Sequence, residues 1–236
     1  MAVCNSWQAW VKGDYEEVLA LPVEYKWGII PMMRTPLYVK WIEGNEQQIK
    51  ERTNSFIGFK RIHTCIELPR AKQLQVQTLQ LDAEWTASKE LLKNVRKAER
   101  ENPEFVASVD WSTFYSFMQK HHPYKWPAVQ QRCMEALFEV STDKNFGRIV
   151  GVKLNNDWAA MQFFVMRRGR AYLIQNVVAS QLRSHEPMAF LLYNLLLKWQ
   201  QESSTTQVNF MGSNNQGVAR FNEKFGAQTK TYWESR

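Results

Sequence analysis

The sequence predicts a mixed α/β fold, and three observations predict it. The first eighty residues break into short runs of β-branched, leucine and aromatic residues; residues 86–101 switch to helical periodicity; from residue 104 strands and helices follow in regular order. Composition agrees. At 44% hydrophobic and 22% charged over 236 residues, the chain belongs with folded proteins and is long enough for one large domain or two modest ones.

Residues 6–12 and 16–24 read as strands parted by the Gly13-Asp14 turn, and 35–42 as a third closed by Glu43-Gly44-Asn45. A polar helix is expected over 45–54, then strands over 56–67 and 73–81 joined around Pro69. In residues 86–101, Leu91, Leu92, Val95 and Ala98 recur at helical spacing behind a Ser88 cap. Lys89, Lys93, Arg96, Lys97 and Arg100 load the rest of that circumference. Such a helix offers a positive stripe to RNA or phosphate or, more simply, a solvated face with Glu90, Glu99 and Glu101 interleaved.

Beyond it, 104–109 reads as a strand, 111–122 as a helix and 127–143 as a second helix opened by Pro127. Strands at 147–154, 158–166 and 170–179 are joined by turns at Asn155-Asn156-Asp157 and Arg167-Arg168-Gly169. A helix over 186–201 gathers Leu191, Leu192, Leu195, Leu196 and Trp199 on one face. A strand at 207–212, a helix at 218–225 ended by Gly226 and a strand at 228–235 complete the series. This gives a strand-rich region 1–85, a basic connecting helix in 86–103 and a second domain over 104–236.

The net charge of +7 favours polyanionic partners or else a mixed, solvated basic surface, and ten tryptophans raise the expectation of a ligand groove. Cys4, Cys65 and Cys133 are scattered with no CxxC, so neither a disulfide framework nor a metal site is expected, and a reducing compartment fits. No basic segment followed by an apolar stretch opens the chain, and no apolar run approaches bilayer length, so a cytoplasmic protein is expected. His63 and Cys65 share a strand face, with no third group to activate the thiol. His121 and His122 are adjacent on a helix and point different ways, which argues against a metal pair.

The element order from residue 104, with the stretches "SKELLKNVRKAERENPEF" and "NFMGSNNQGVARFNEKFGA", resembles the GNAT acyltransferase fold. Within that superfamily it resembles the bacterial FemAB-type branch, which carries two GNAT-like halves in one chain. The opening "VCNSWQAWVKGDYEEVLALPVEYKWGI" resembles the first strands of the first half, which the resemblance implies is incomplete. Gly212, Gly217 and Gly226 then serve a turn and a helix end; no GxxxxGK[ST] or GxGxxG marks a phosphate cradle.

The resemblance implies transfer of an acyl or aminoacyl group to an amine on a small molecule or peptide. GNAT enzymes hold acyl-CoA pyrophosphate at the helix after their fourth strand, through small residues that let backbone N–H groups approach. In the matching "LRSHEPMAF", Arg183 fits the first position, but Glu186 and Met188 take small-residue positions and Pro187 removes an N–H. Acyl-CoA is thereby disfavoured, and aminoacyl-tRNA, the donor of FemAB-type relatives, is the other candidate. The implied catalytic candidates are Tyr172, Gln175 and Asn176 on the fourth strand, and His185. Arg183, Ser184, Asn209, Asn214, Asn215 and Arg220 would contact substrate, as would Tyr124, Lys125 and Trp126 from the loop between the first two helices of this half. Read from the residues alone, Gln175 and Asn176 are more simply a polar pair satisfied by neighbouring backbone. The alternative class is a non-catalytic binding or accessory protein that keeps the fold.

Overall fold

A computed structural model of the protein describes residues 17–21, 38–43, 61–64, 71–122, 125–126, 128–167, 169–212 and 214–235. They fall into two compact units. The first draws on Met1–Gln75, Trp126–Val140 and Thr231–Arg236, and the second on Val76–Lys125 and Ser141–Lys230.

In the first unit, β1 (Glu17–Leu21) pairs antiparallel with β2 (Tyr38–Glu43), and β2 pairs in parallel with β3 (Arg61–Thr64). The end of β10 (Gln228–Ser235) pairs antiparallel with β3, Trp233 opposite Thr64. β1 and β3 lie inside the runs expected at 16–24 and 56–67, and β2 overlaps the run expected at 35–42 but extends one residue past it, to Glu43. The strand expected at 6–12 and the helix expected at 45–54 lie outside the described residues.

The second unit begins in β4 (Lys72–Gln80), followed by α1 (Lys89–Glu99), β5 (Glu104–Val106) and α2 (Trp111–His121). After α3 (Ala128–Asp143), which belongs to the first unit as far as Val140, the second unit resumes with β6 (Gly147–Leu154), β7 (Asp157–Arg167) and β8 (Arg170–Val178). A 3-10 turn (Ser180–His185) leads into α4 (Pro187–Gln201), and β9 (Gln207–Gly212) and α5 (Gln216–Glu223) precede β10. Within this unit the strand order is β4-β9-β8-β7-β6-β5, all neighbours antiparallel except the parallel pair β8-β9.

Local chemistry explains the boundaries. The hydroxyl of Ser88 accepts from the Leu91 N–H at the start of α1, and the Asp110 carboxylate accepts from the Thr113 N–H at the start of α2. Asn155 and Asn156, with φ of 50° and 70°, form the tight β6-β7 turn that the sequence marks. Gly226, at φ 85°, ends the α5 region in the left-handed conformation its position at the helix end predicts. Two departures from expectation stand out. The strand expected over 104–109 is regular only over Glu104–Val106; a bend follows at Ala107, and Val109 donates its N–H to the Ile149 carbonyl of β6 at 2.9 Å just before Asp110 caps the next helix. The last helix begins two residues earlier than its apolar pattern indicates, because Asn215 caps it.

The core explains the near-continuous apolar runs of β6–β8, which are covered on both faces. Phe164 meets Trp199 of α4 edge to face at 4.9 Å between ring centres, while its neighbour Phe163 points the other way and meets Phe114 of α2 at 6.5 Å. Leu191, Leu192, Leu195, Leu196 and Trp199 are all buried on α4, as their spacing predicts. Each such side chain contributes about 1.5–3 kcal/mol of burial.

Candidate ligand cavity at the splayed strands

The parallel pair β8-β9 is hydrogen-bonded only where Arg170, Ala171 and Tyr172 face Gln207, Val208 and Asn209. Past that point β8 runs on to Val178 and β9 to Gly212 without pairing to one another. Two irregularities accompany the parting. A bulge in β8 leaves Ile174 without a cross-strand partner, since Phe163 faces Gln175 and Phe164 faces Leu173. In β9 the backbone turns at Met211, φ 61°, whose N–H donates to the Asn209 side-chain oxygen at 2.7 Å. A crevice beyond the carboxyl ends of parallel strands is where ligands bind in open α/β sheets.

A cavity of about 500 Å³ lies there, wholly within the second unit. Asn176, Val177 and Val178 supply one wall from the end of β8; His121 and His122 close it from the end of α2. Two helix starts supply the rest. Glu186, Pro187 and Met188 begin α4, and Asn215, Gly217 and Val218 begin α5, with Phe221 one turn further on. Both helices therefore turn the positive ends of their dipoles toward the space.

The two starts differ chemically. Asn215 caps α5, its side-chain oxygen accepting from the Gly217 and Val218 N–H groups at 2.9 and 3.2 Å. Glu186 sits at the α4 start in the left-handed conformation, φ 58°, and its side chain caps nothing, while Pro187 lacks an N–H. A carboxylate thus stands where an anion would otherwise be welcome, with Arg183 on the same cavity wall. His121 has its pKa lowered, first by burial and then by the charge of Lys120, so the ring is neutral at pH 7. It packs on Phe117 with ring centres 4.7 Å apart.

The structure brings together Asn176, Arg183, Glu186, Pro187, Met188 and Asn215 of the candidate ligand residues singled out in the sequence. Gln175 spends its amide on the Asn176 carbonyl at 3.0 Å, the plainer of the two readings of that pair. Its own carbonyl accepts from fully buried Gln162, whose side-chain oxygen has no hydrogen-bond partner among the described residues and which faces Asn176 across the strands. Tyr172 is buried, its hydroxyl without a hydrogen-bond partner among the described residues. Asn209 is buried and holds the β9 turn. His185 lies off the cavity lining with Nδ1 3.0 Å from a Glu101 carboxylate oxygen. Ser184 and Asn214 are exposed. Arg220 lines an adjoining groove with Ser88, Glu90, Glu223 and Lys224, which shares Gly217 and Phe221 with the cavity. Lys125 donates to the Gln119 carbonyl, Trp126 belongs to the first unit, and Tyr124 lies outside the described residues.

Sequence reasoning weighs His121 and His122 only as a metal pair, and names Asn215 as facing a ligand but not as a cap. The polar residue just before a helix was the available signal for the second; nothing in the sequence places the end of α2 beside the end of β8. Among the described residues no group of three or more His, Cys, Asp or Glu is placed to hold a metal ion, and no helix is long and apolar enough to cross a membrane.

Neither a protein-family model nor a curated protein matches the chain. Solved structures do. FemX superposes with a TM-score of 0.60 at 10% identity, over 92% of this chain and 88% of its own. L-PGS from Bacillus licheniformis gives 0.52 at 13% identity, over 80% and 71%. A GCN5-related glucosamine N-acetyltransferase region of a fungal multi-domain GH3 beta-N-acetylglucosaminidase gives 0.52 at 8% identity, over 92% of this chain and 31% of that one. At these identities the likeness is one of fold, and the fold is the GNAT-like one that the order of elements implied.

Proposed function

We propose that the second unit transfers an acyl or aminoacyl group from an ester or thioester donor to an amine acceptor, with the reacting carbonyl held in the cavity beyond the β8-β9 parting. The observation that carries this reading is the open cavity itself, lined by Asn176, His121 and two helix starts. A module that had kept only the fold would fill this space with apolar side chains. In the step, the acceptor nitrogen forms a bond to the carbonyl carbon and loses a proton to the neutral His121. The carbon–oxygen or carbon–sulfur bond of the donor then breaks, and the leaving group takes a proton. Positive helix ends favour the negative charge that develops on the carbonyl oxygen. Glu186 and Pro187 at the α4 start disfavour the pyrophosphate of acyl-CoA, so an aminoacyl ester such as charged tRNA is the preferred donor.

The test presents the purified chain with acetyl-CoA or with radiolabelled aminoacyl-tRNA and a panel of small and peptide amines. Transfer from aminoacyl-tRNA that drops at least tenfold in His121→Gln supports the reading. Saturable CoA binding with acetyl transfer would replace the donor. Silence with both donors would make the chain an accessory protein on a transferase fold.

A further inference from the structure

The cations of α1 are arranged in a way their count does not reveal. At 3.6 residues per turn, Lys89, Lys93, Arg96, Lys97 and Arg100 fall within an arc of about 100°. That arc is centred opposite the side on which Leu91, Val95 and Ala98 are buried. The stripe runs about 16 Å along the helix axis. All five side chains are exposed, and none has an ion-pair partner among the described residues.

The neighbouring carboxylates are drawn aside. Glu90 pairs with Lys224 at 2.9 Å and Glu101 with His185 at 3.0 Å, while Glu99 falls on the helix flank outside the arc. The stripe also leads somewhere. Its Arg100 end adjoins Glu101, whose partner His185 is in the same 3-10 turn as Arg183, a residue of the cavity wall.

From this geometry we infer that the exposed face of α1 is a docking track for the phosphate backbone of a structured RNA. The inference deepens the transferase reading, and rests on it for the destination of the RNA end but not for the binding. Duplex DNA carries about one negative charge per 1.7 Å of axis and an A-form RNA duplex a denser row, so a row of cations of this length meets several phosphates at once. An anionic bilayer is the poorer match, because an interfacial helix presents apolar side chains beside its cations and those of α1 are buried in the core.

The test is fluorescence anisotropy of the full chain with a labelled RNA hairpin of some twenty base pairs carrying a single-stranded 3′ tail, over a series of KCl concentrations. The double variant Lys93→Glu/Arg96→Glu is expected to bind about tenfold or more weakly and to lose about 0.9 of salt slope for each contact removed. Lys198→Glu, on α4, is expected to bind as the parent does. Thermal melts check folding, and Lys93→Gln/Arg96→Gln replaces the charge reversal if that variant is unfolded. An unchanged affinity and salt slope would overturn the assignment, as would absence of RNA binding, or binding to phosphatidylglycerol vesicles in place of RNA. Transfer from a short aminoacyl ester alongside failed RNA binding would sink this inference alone; RNA binding without transfer from any donor would sink only the proposed function.

Discussion

The side-chain amide of Asn222 donates to the side-chain oxygen of Gln77 at 2.9 Å, and the two residues are 3% and 0% exposed. Gln77 in turn donates to the Ala219 carbonyl at 3.1 Å and the Thr229 hydroxyl at 3.3 Å. With the Trp85 indole donating to the Phe225 carbonyl and the Ser88 hydroxyl to the Lys224 carbonyl, these bonds fix a short helix that has little apolar surface of its own. That helix carries one of the two dipole ends at the cavity.

Asn222→Ala is therefore expected to cost about 1–3 kcal/mol, the desolvation of an orphaned Gln77 oxygen. Urea unfolding measures it. A loss under about 0.5 kcal/mol would mean that packing, not this network, seats α5.

Glu186→Gln should raise the affinity of the cavity for anions. Removing one carboxylate from a helix N-terminus shifts the balance by about 1 kcal/mol, or about fivefold in CoA affinity by calorimetry. Glu186→Gly should in addition relieve the left-handed backbone and raise the melting temperature, since a non-glycine residue there costs about 1–2 kcal/mol.

Asp110 predicts an acid-sensitive α2. Hydrogen bonds from the Ser112 hydroxyl, the Thr113 hydroxyl and the Thr113 N–H lower its pKa to about 2. A carboxylate with a depressed folded-state pKa stabilises the fold above its unfolded value of 3.8, and that contribution is lost as pH falls toward 2. Asp110→Asn should lose stability near neutral pH and show a flatter decline between pH 4 and 2 in thermal melts. Parallel declines would assign the acid sensitivity elsewhere.

His121 predicts the acid limb of the pH–rate profile. Because burial lowers its pKa below 6.5, the neutral ring persists at mildly acidic pH, and transfer should fall only below that value. In His121→Gln the residual rate should lack this limb. A limb that survives the substitution would place the base at another residue.

The sequence alone determined most of the elements of the second unit and the α4 core, because hydrophobic periodicity, caps and turn residues act over a few positions: Ser88, Asn155-Asn156 and Gly226 each do in the structure what their local chemistry dictates. It also marked "LRSHEPMAF", since a carboxylate and a proline at a helix start have the same consequence in any setting. Tertiary structure decided the site. Whether Asn176 faces a cavity while Gln175 is taken up by backbone depends on a single bulged residue, Ile174, and a one-residue shift changes which face each side chain takes. His121 and Glu186 are 65 positions apart and meet only because the parting of β8 from β9 leaves space that the ends of α2, α4 and α5 surround. The ion pairs that clear the α1 stripe likewise involve Lys224 and His185, partners that no local pattern names, because such contacts are set by packing across the fold.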